Sequence, residues 1–275
     1  MSYSPTASIA RGSSSAPDRD LAKPVNPPKK TYNLQVVLAD TEALRRKAFH
    51  LRYQVYCIEN AFEPIAENPG EMETDEYDQQ SLHCLLVRRP SNVVVGTTRL
   101  ILPKLNGSAI PLPIRRICPP PILERYAHII PPGKAAEISR FAIVKQHRRR
   151  TGDRNLIVGG PAGMGGSRTK RVIPHISLGL MQAVVAMAAA HDVTHLYAVM
   201  EPALLRMLQF LGIYFHNLGP VVDYHGWRQP CFCDLDHLLA TTYAKRPDVW
   251  NVLTDHGGLW PLNSGATAQE EALIS

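Results

Sequence analysis

The sequence predicts a mixed α/β fold built on one central sheet. Three observations lead there: two adjacent β-rich runs joined by a turn, a lone strand in mid-chain studded with polar residues, and alternating helices and strands after residue 176. Antiparallel strands followed by such alternation suit a sheet that carries helices on its faces. With 275 residues, 45% of them hydrophobic, the chain can fill one core, and a single domain over residues 31–275 is expected. Residues 1–30, rich in Ser, Pro and Ala, read as a disordered tail because they cannot bury enough apolar area to offset their ordering entropy.

Asp40 or Thr41 can cap a first helix, whose apolar positions Leu44, Ala48, Leu51, Val55 and Ile58 keep helical spacing, with Arg52 at the edge of the stripe. An acidic loop from Glu63 to Asp78 follows, suited to lining or covering a cleft. Leu82–Arg88 and Val93–Leu102 are β-rich runs joined by Arg89-Pro90-Ser91-Asn92, a hairpin-like connection. A proline-rich excursion occupies residues 110–133, and Ala135–Val144 is a strand. A glycine-rich insertion near residues 159–172 precedes a helix over Ile176–Ala190. Then come a strand (Val193–Met200), a helix (Pro202–Leu211, with Pro at its start and Gly212 past its end) and a strand (Ile213–Leu218). Short helices are expected within Asp234–Lys245 and Pro247–Asp255.

Composition narrows the function classes. The net charge of +6 and a pI near 9.1 come with no zinc-finger spacing, aromatic RNA-binding signature or basic recognition helix, so a phosphate or an acidic protein is a better partner than nucleic acid. Five scattered cysteines do not form a secreted disulfide framework, and no basic-then-apolar leader opens the chain, so a cytoplasmic location is expected. The most apolar helix, Ile176–Ala190, is shorter than the ~20 residues that span a bilayer, so no transmembrane segment is expected. His225, Cys231, Cys233 and His237 do not match a common structural-zinc arrangement, and no metal is expected. No cysteine has a motif partner that would make it a nucleophile. His83 reads as a satisfied strand-end histidine rather than a base.

The chemistry concentrates in Glu137-Ile138-Ser139-Arg140-Phe141 and the basic turn after it. Polar groups in an apolar strand cost desolvation unless paired or facing a cleft, so they mark a site. In a regular strand Glu137 and Ser139 would face one way and Arg140 the other; a bulge would let them converge. Glu137 is the candidate general base, a role worth ~10²–10⁴ in rate, and the plainer reading is an ion pair with Arg52, Arg99 or Arg140. Arg148, Arg149 and Arg150 with Gly152 offer cations and backbone N–H groups to a phosphate, or else form a solvated turn. A carboxylate strand followed by a phosphate turn is the layout of an acyltransferase that uses a phosphopantetheine donor.

Further motifs sharpen this. Arg52-Tyr53-Gln54-Val55-Tyr56, Asp75-Glu76-Tyr77-Asp78, the strand end Gly96-Thr97-Thr98-Arg99, and Glu137-Ile138-Ser139-Arg140-Phe141 occur in an order that resembles the acyl-homoserine-lactone (autoinducer) synthases. With Ser81-Leu82-His83 after the Asp-x-x-Asp, they resemble more closely the N-acyl amino acid synthases and the acyltransferases associated with PEP-CTERM/exosortase systems. The resemblance covers roughly residues 35–230 and implies a GNAT (acyl-CoA N-acyltransferase) fold. It implies transfer of a fatty acyl group from acyl carrier protein or coenzyme A, as co-substrate rather than resident cofactor, to the amine of an amino acid or similar small acceptor. It further implies that Arg52, Asp75, Asp78 and Arg99 line the substrate cleft with Ser139 and Arg140, although the same charges could form a salt-bridge network. Leu208 stands where many GNAT enzymes carry a tyrosine acid, so none is expected. The rivals are an autoinducer synthase using S-adenosylmethionine, against which Phe62 replaces the usual Trp, and a non-catalytic GNAT-like module that binds an acyl carrier.

Overall fold

The computed structural model describes residues 34–103, 111–148 and 176–262. The amino-terminal tail and the glycine-rich insertion lie outside them. Among the described residues the strands are β1 (Leu34–Leu38), β2 (Ser81–Arg88), β3 (Val93–Ile101), β4 (Ala135–Ile143), β5 (His195–Met200), β6 (His216–Asn217), β7 (Val222–Asp223) and β8 (Trp227–Asp234). The helices are α1 (Glu42–Tyr53), α2 (Ile114–Ile117), α3 (Pro120–Ala127), α4 (Lys145–Arg148), α5 (Ile176–Ala190), α6 (Pro202–Phe210), α7 (Leu235–Lys245) and α8 (Pro247–Leu253). The sheet order is β1-β2-β3-β4-β5-β8-β6, with β7 paired to β8. β4 and β5 run parallel while the other pairs are antiparallel, which gives the mixed α/β sheet the sequence predicts.

Alternation along β2 assigns its two faces. Leu85 and Val87 pack with Ala48 of α1, whereas Cys84 and Leu86 meet Leu178, Met181 and Leu180 of α5 on the other side. α5 is apolar nearly all round because α8 packs on it as well. Gly179 lets it approach the sheet, since a Cβ there would stand 2.9 Å from a Leu86 methyl.

Thr41, one of the two expected caps, accepts the Leu44 N–H at 3.3 Å and starts α1. The helix does not continue as the sequence predicts. From Gln54 to Glu59 it widens into a π-helical segment. Wider turns shift the phase of the apolar stripe, so Leu51 and Val55 stay buried against Ala142 while Ile58 turns outward, 49% exposed. Elsewhere, β1 adds an edge strand ahead of the predicted first helix, and the Ile213–Leu218 strand shrinks to His216–Asn217. The proline-rich excursion holds α2 and α3.

Two irregularities create the site. Arg99 pairs with Ser139 and Thr97 with Ala142, so two residues of β4, Arg140 and Phe141, oppose Thr98 alone. Arg140 takes the left-handed conformation, with φ of 49°. This bulge keeps Arg140 on the α1 side, with Glu137 and Ser139, and sends Phe141 toward α5. The second irregularity is a parting of strands. The β4–β5 ladder ends at Ile138↔Ala198, although β4 runs on to Ile143 and β5 to Met200. Beyond that point Ser139, Phe141 and Ile143 face Val199 and Met200 across a cavity.

The shift in helical phase gives a direct test by chemical denaturation. Leu51→Ala should cost ~2–5 kcal/mol, as for a core deletion. Ile58→Ala should stay within about 0.5 kcal/mol. An uninterrupted α-helix would make both substitutions costly.

Candidate active site

The cavity has a volume of about 450 Å³ and lies between the parted ends of β4 and β5. Glu137, Ser139 and Arg140 of β4, Arg99 of β3 and Asp75 of the acidic loop form its polar wall. Phe141, Ile143, Ile176, Leu204 and Met207 form an apolar one. The turn between β7 and β8 contributes Tyr224 and His225, and β8 adds Arg228.

Behind the polar wall three arginines and three carboxylates interlock. Arg52, fully buried, donates through Nε to Glu73 at 2.5 Å and through both Nη atoms to Asp78 at 2.6 and 3.1 Å. Arg99 donates to Asp75 at 2.5 and 2.9 Å, to Asp78 at 2.6 Å and, through Nε, to the Ser139 hydroxyl at 2.8 Å. Arg140 holds Glu73 at 2.8 Å and reaches Asp75 at 3.0 Å. Bidentate forks of this kind make charge pairs geometrically specific. The carboxyls of Glu73 and Asp78 lie well below their ordinary range; burial pushes both upward, but the arginines outweigh it and bring Glu73 down to about 2.

The predicted charged set therefore comes together, but it divides by position. Asp75, Arg99, Ser139 and Arg140 reach the cavity. Arg52 and Asp78 do not line it; their groups are spent on Glu73, Arg99 and each other. Glu73, which bridges Arg52 and Arg140, escaped sequence reasoning because the loop around it offers Glu67, Glu71 and Glu76 as equals. Arg148 ends α4, and its side chain lies outside the described residues, as do Arg149, Arg150 and Gly152.

Glu137 stands apart from this lattice. It is 2% exposed, and its Oε2 accepts the N–H of Ile114, the first residue of α2, at 2.8 Å. No arginine forms a salt bridge with it among the described residues. Burial therefore dominates and raises its carboxyl to about 8, only partly opposed by the Ile114 hydrogen bond and the field of Arg99. Two kinds of carboxyl thus share one region, paired ones held ionised and a solitary one held mostly neutral.

Histidine and cysteine complete the inventory. His83 is buried, with its Nε2 3.7 Å from the Asp78 carboxylate. Burial, seconded by Arg52, lowers its pKa to about 4 and keeps the ring neutral, packed edge-on to Phe49. All five cysteines are buried, and burial raises the Cys84 thiol to about 12. Leu208 is buried in the core away from the cavity. Among the described residues no group of His, Cys, Asp or Glu is arranged to hold a metal ion, and no helix is long and apolar enough to cross a membrane.

Residues 51–158 match the acetyltransferase (GNAT) domain family. The fold is thus GNAT-like, and the protein is an acyltransferase. Among solved structures it is similar to BjaI, a coenzyme A-dependent acyl-homoserine lactone synthase with MTA, at 20% identity over 82% of this chain and 89% of that one, with a TM-score of 0.51. The acyl-homoserine lactone synthase LasI is similar at 19% identity over 77% and 95% of the two chains, with a TM-score of 0.51. FeeM, an N-acyl amino acid synthase from uncultured soil microbes, aligns at 14% identity over 77% and 96%, with a TM-score of 0.48. The likenesses to BjaI and LasI are likenesses of fold. No curated protein matches the sequence.

Arg52→Ala would leave Glu73 and Asp78 as buried charges short of a partner, and should cost ~3–5 kcal/mol in denaturant unfolding. Glu137 acts on stability in the opposite sense. Because its folded pKa is raised, its contribution is fully present below about pH 4.5 and is lost as pH rises through about 8. Gln can still accept the Ile114 N–H but carries no charge. Thermal melts of Glu137→Gln should therefore gain on the wild type between pH 5 and pH 8, roughly the window this shift opens. Parallel melting curves across that window would mean that Glu137 is not shifted.

Proposed function

We propose that the protein is an N-acyltransferase that moves a fatty acyl group from a phosphopantetheine thioester, on coenzyme A or acyl carrier protein, to the amine of an amino acid or similar acceptor, with Glu137 as general base. The observation that carries this reading is the solitary buried Glu137 in the wall of a cavity whose other side is apolar. Phe141, Ile143, Leu204 and Met207 suit an acyl chain, and the strand parting suits a thioester laid along β4, its carbonyl against backbone N–H groups.

The acceptor amine is mostly protonated near neutral pH and must lose a proton to attack. A carboxylate with a pKa of about 8 is a stronger base than an ordinary one, and ionised in a minor fraction at pH 7. In this scheme ionised Glu137 takes one proton from the ammonium, the freed amine nitrogen bonds to the thioester carbon, and as the C–S bond breaks the nitrogen's second proton passes to the departing thiolate. A thiol ionises far more readily than an amine, so departure needs no tyrosine acid. Asp75 and Ser139 face the acceptor, Arg99 and Arg140 hold these groups and the bulged strand in place, Arg52 and Asp78 brace that lattice, and the Arg148–Gly152 segment binds the phosphopantetheine phosphate.

Glu137→Gln should lower kcat by roughly 10²–10⁴ with the KM for the donor little changed. Wild-type kcat should climb with pH through a midpoint near 8, and the variant should lack that step while recovering in part at higher pH, where free amine accumulates. Release of thiol measured at several pH values gives both quantities, and mass spectrometry of the product separates an acyl amino acid from an acyl lactone. A folded Glu137→Gln variant with near-normal turnover at neutral pH would remove the base assignment.

A further inference from the structure

Among the described residues the cavity wall holds three guanidinium groups, and they are not equivalent. Arg99 and Arg140 have their donors committed to Asp75, Asp78, Ser139 and Glu73, and turning either toward a ligand would strand buried carboxylates. Arg228 is different. One of its Nη atoms donates to the carbonyl of Trp227 at 3.1 Å, and the other lies 3.3 Å from Glu201, whose side chain is 55% exposed. A pair with so exposed a partner is weak and easily displaced. The guanidinium also lies over the ring of Phe62, 5.6 Å from its centre, a contact that orients its plane without using its donors.

Strand register puts Arg228 on the same side of the sheet as Glu137. Glu137 pairs with Tyr197, which pairs with Phe232, and Arg228 lies four residues before Phe232 on β8, hence on the same face. Four residues along the strand and two strand spacings across it separate the two backbones by roughly 16 Å, a span that the two side chains and a molecule the size of an amino acid can fill. The β5–β8 ladder ends at Met200↔Gln229, so Arg228 stands at the open end, next to the parting of β4 and β5.

We propose that Arg228 binds the carboxylate of the acceptor, replacing Glu201 as its partner, and thereby restricts the enzyme to acceptors that carry a free carboxylate near the reacting amine. This rests on the N-acylation reading above. With the acceptor's carboxylate held by Arg228, its amine is directed toward β4 and Glu137. Neutral amines and carboxyl-blocked amino acids would enter the same cavity without that anchor.

The test compares the proteinogenic amino acids with their primary amides as acceptors, using medium- and long-chain acyl-coenzyme A and acyl carrier protein thioesters as donors. Wild-type enzyme should prefer the free acids. Arg228→Gln should raise the KM for them by about ten- to a hundredfold, the loss expected for one charge-assisted contact, with kcat and the KM for the donor little changed. The KM for amides should not move. Glu201→Gln, which removes the competing carboxylate at an exposed position, should lower the KM for free acids and so tests the proposal even if Arg228→Gln unfolds. Equal use of acids and amides by the wild type, an equal loss for both in Arg228→Gln, or an unchanged KM in Glu201→Gln would each overturn the assignment while leaving N-acylation standing. If no acceptor of either kind is acylated from any donor, the N-acylation reading itself fails and this inference with it.

Discussion

The site depends on one bent residue and the ions that hold it. Arg140 occupies a backbone region that side-chain-bearing residues seldom adopt, at a point where β4 carries one more residue than β3 can match. Its guanidinium is tied to Glu73, which is tied to Arg52, which is tied through Asp78 to Arg99. The lattice thus joins α1, the acidic loop, β3 and the bulge of β4. Without it the strand could relax to regular alternation, Arg140 would swing to the α5 face, and Ala142 would leave its place under Leu51 and Val55. Its three arginines and three carboxylates balance in charge, which is how Arg52, Glu73 and Arg99 can sit ionised and almost out of contact with water.

The same region shows how environment assigns roles to chemically identical groups. Glu73 and Glu137 are both buried carboxyls. Glu73 has two guanidinium partners and is held ionised, whereas Glu137 has a single backbone N–H and is held largely neutral. Each would be unsuited to the other's place: an ionised, fully paired carboxylate is a poor proton acceptor, and a solitary one could not restrain Arg140. Because the arginines are neutralised by the lattice's own carboxylates, Glu137 keeps its high pKa beside three guanidinium groups, and Arg228 at the far rim keeps donors to spare.

Much of this was legible in the sequence, for a physical reason. Polar residues inside apolar elements are costly, so Arg52, Arg99, Glu137, Ser139 and Arg140 announced themselves, and the need for Glu137 and Arg140 to share a face required the bulge that β4 contains. The alternation after residue 176 gave α5, β5 and α6 nearly to the residue. What stayed hidden depended on contacts distant in the chain. Glu73 looked like any acid of a solvated loop until Arg52 and Arg140 closed on it. The π-helical segment follows no local propensity signal, so the apolar spacing carried the expected stripe on to Ile58, which faces solvent. The division of the charged set, with Arg52 and Asp78 behind the wall and Asp75 and Arg99 within it, follows from side-chain direction in three dimensions, which a motif does not encode.

The central claim is that burial without a charged partner sets Glu137 apart as the group that accepts the proton. Carbon NMR of protein labelled at the glutamate side-chain carboxyl carbons, with the Glu137 signal identified by its loss in Glu137→Gln, reads this protonation directly. The signal should titrate with a midpoint near pH 8, while that of Glu73 stays ionised down to about pH 2. A midpoint between pH 4 and pH 5 for Glu137, roughly that of a free side chain, would contradict the account.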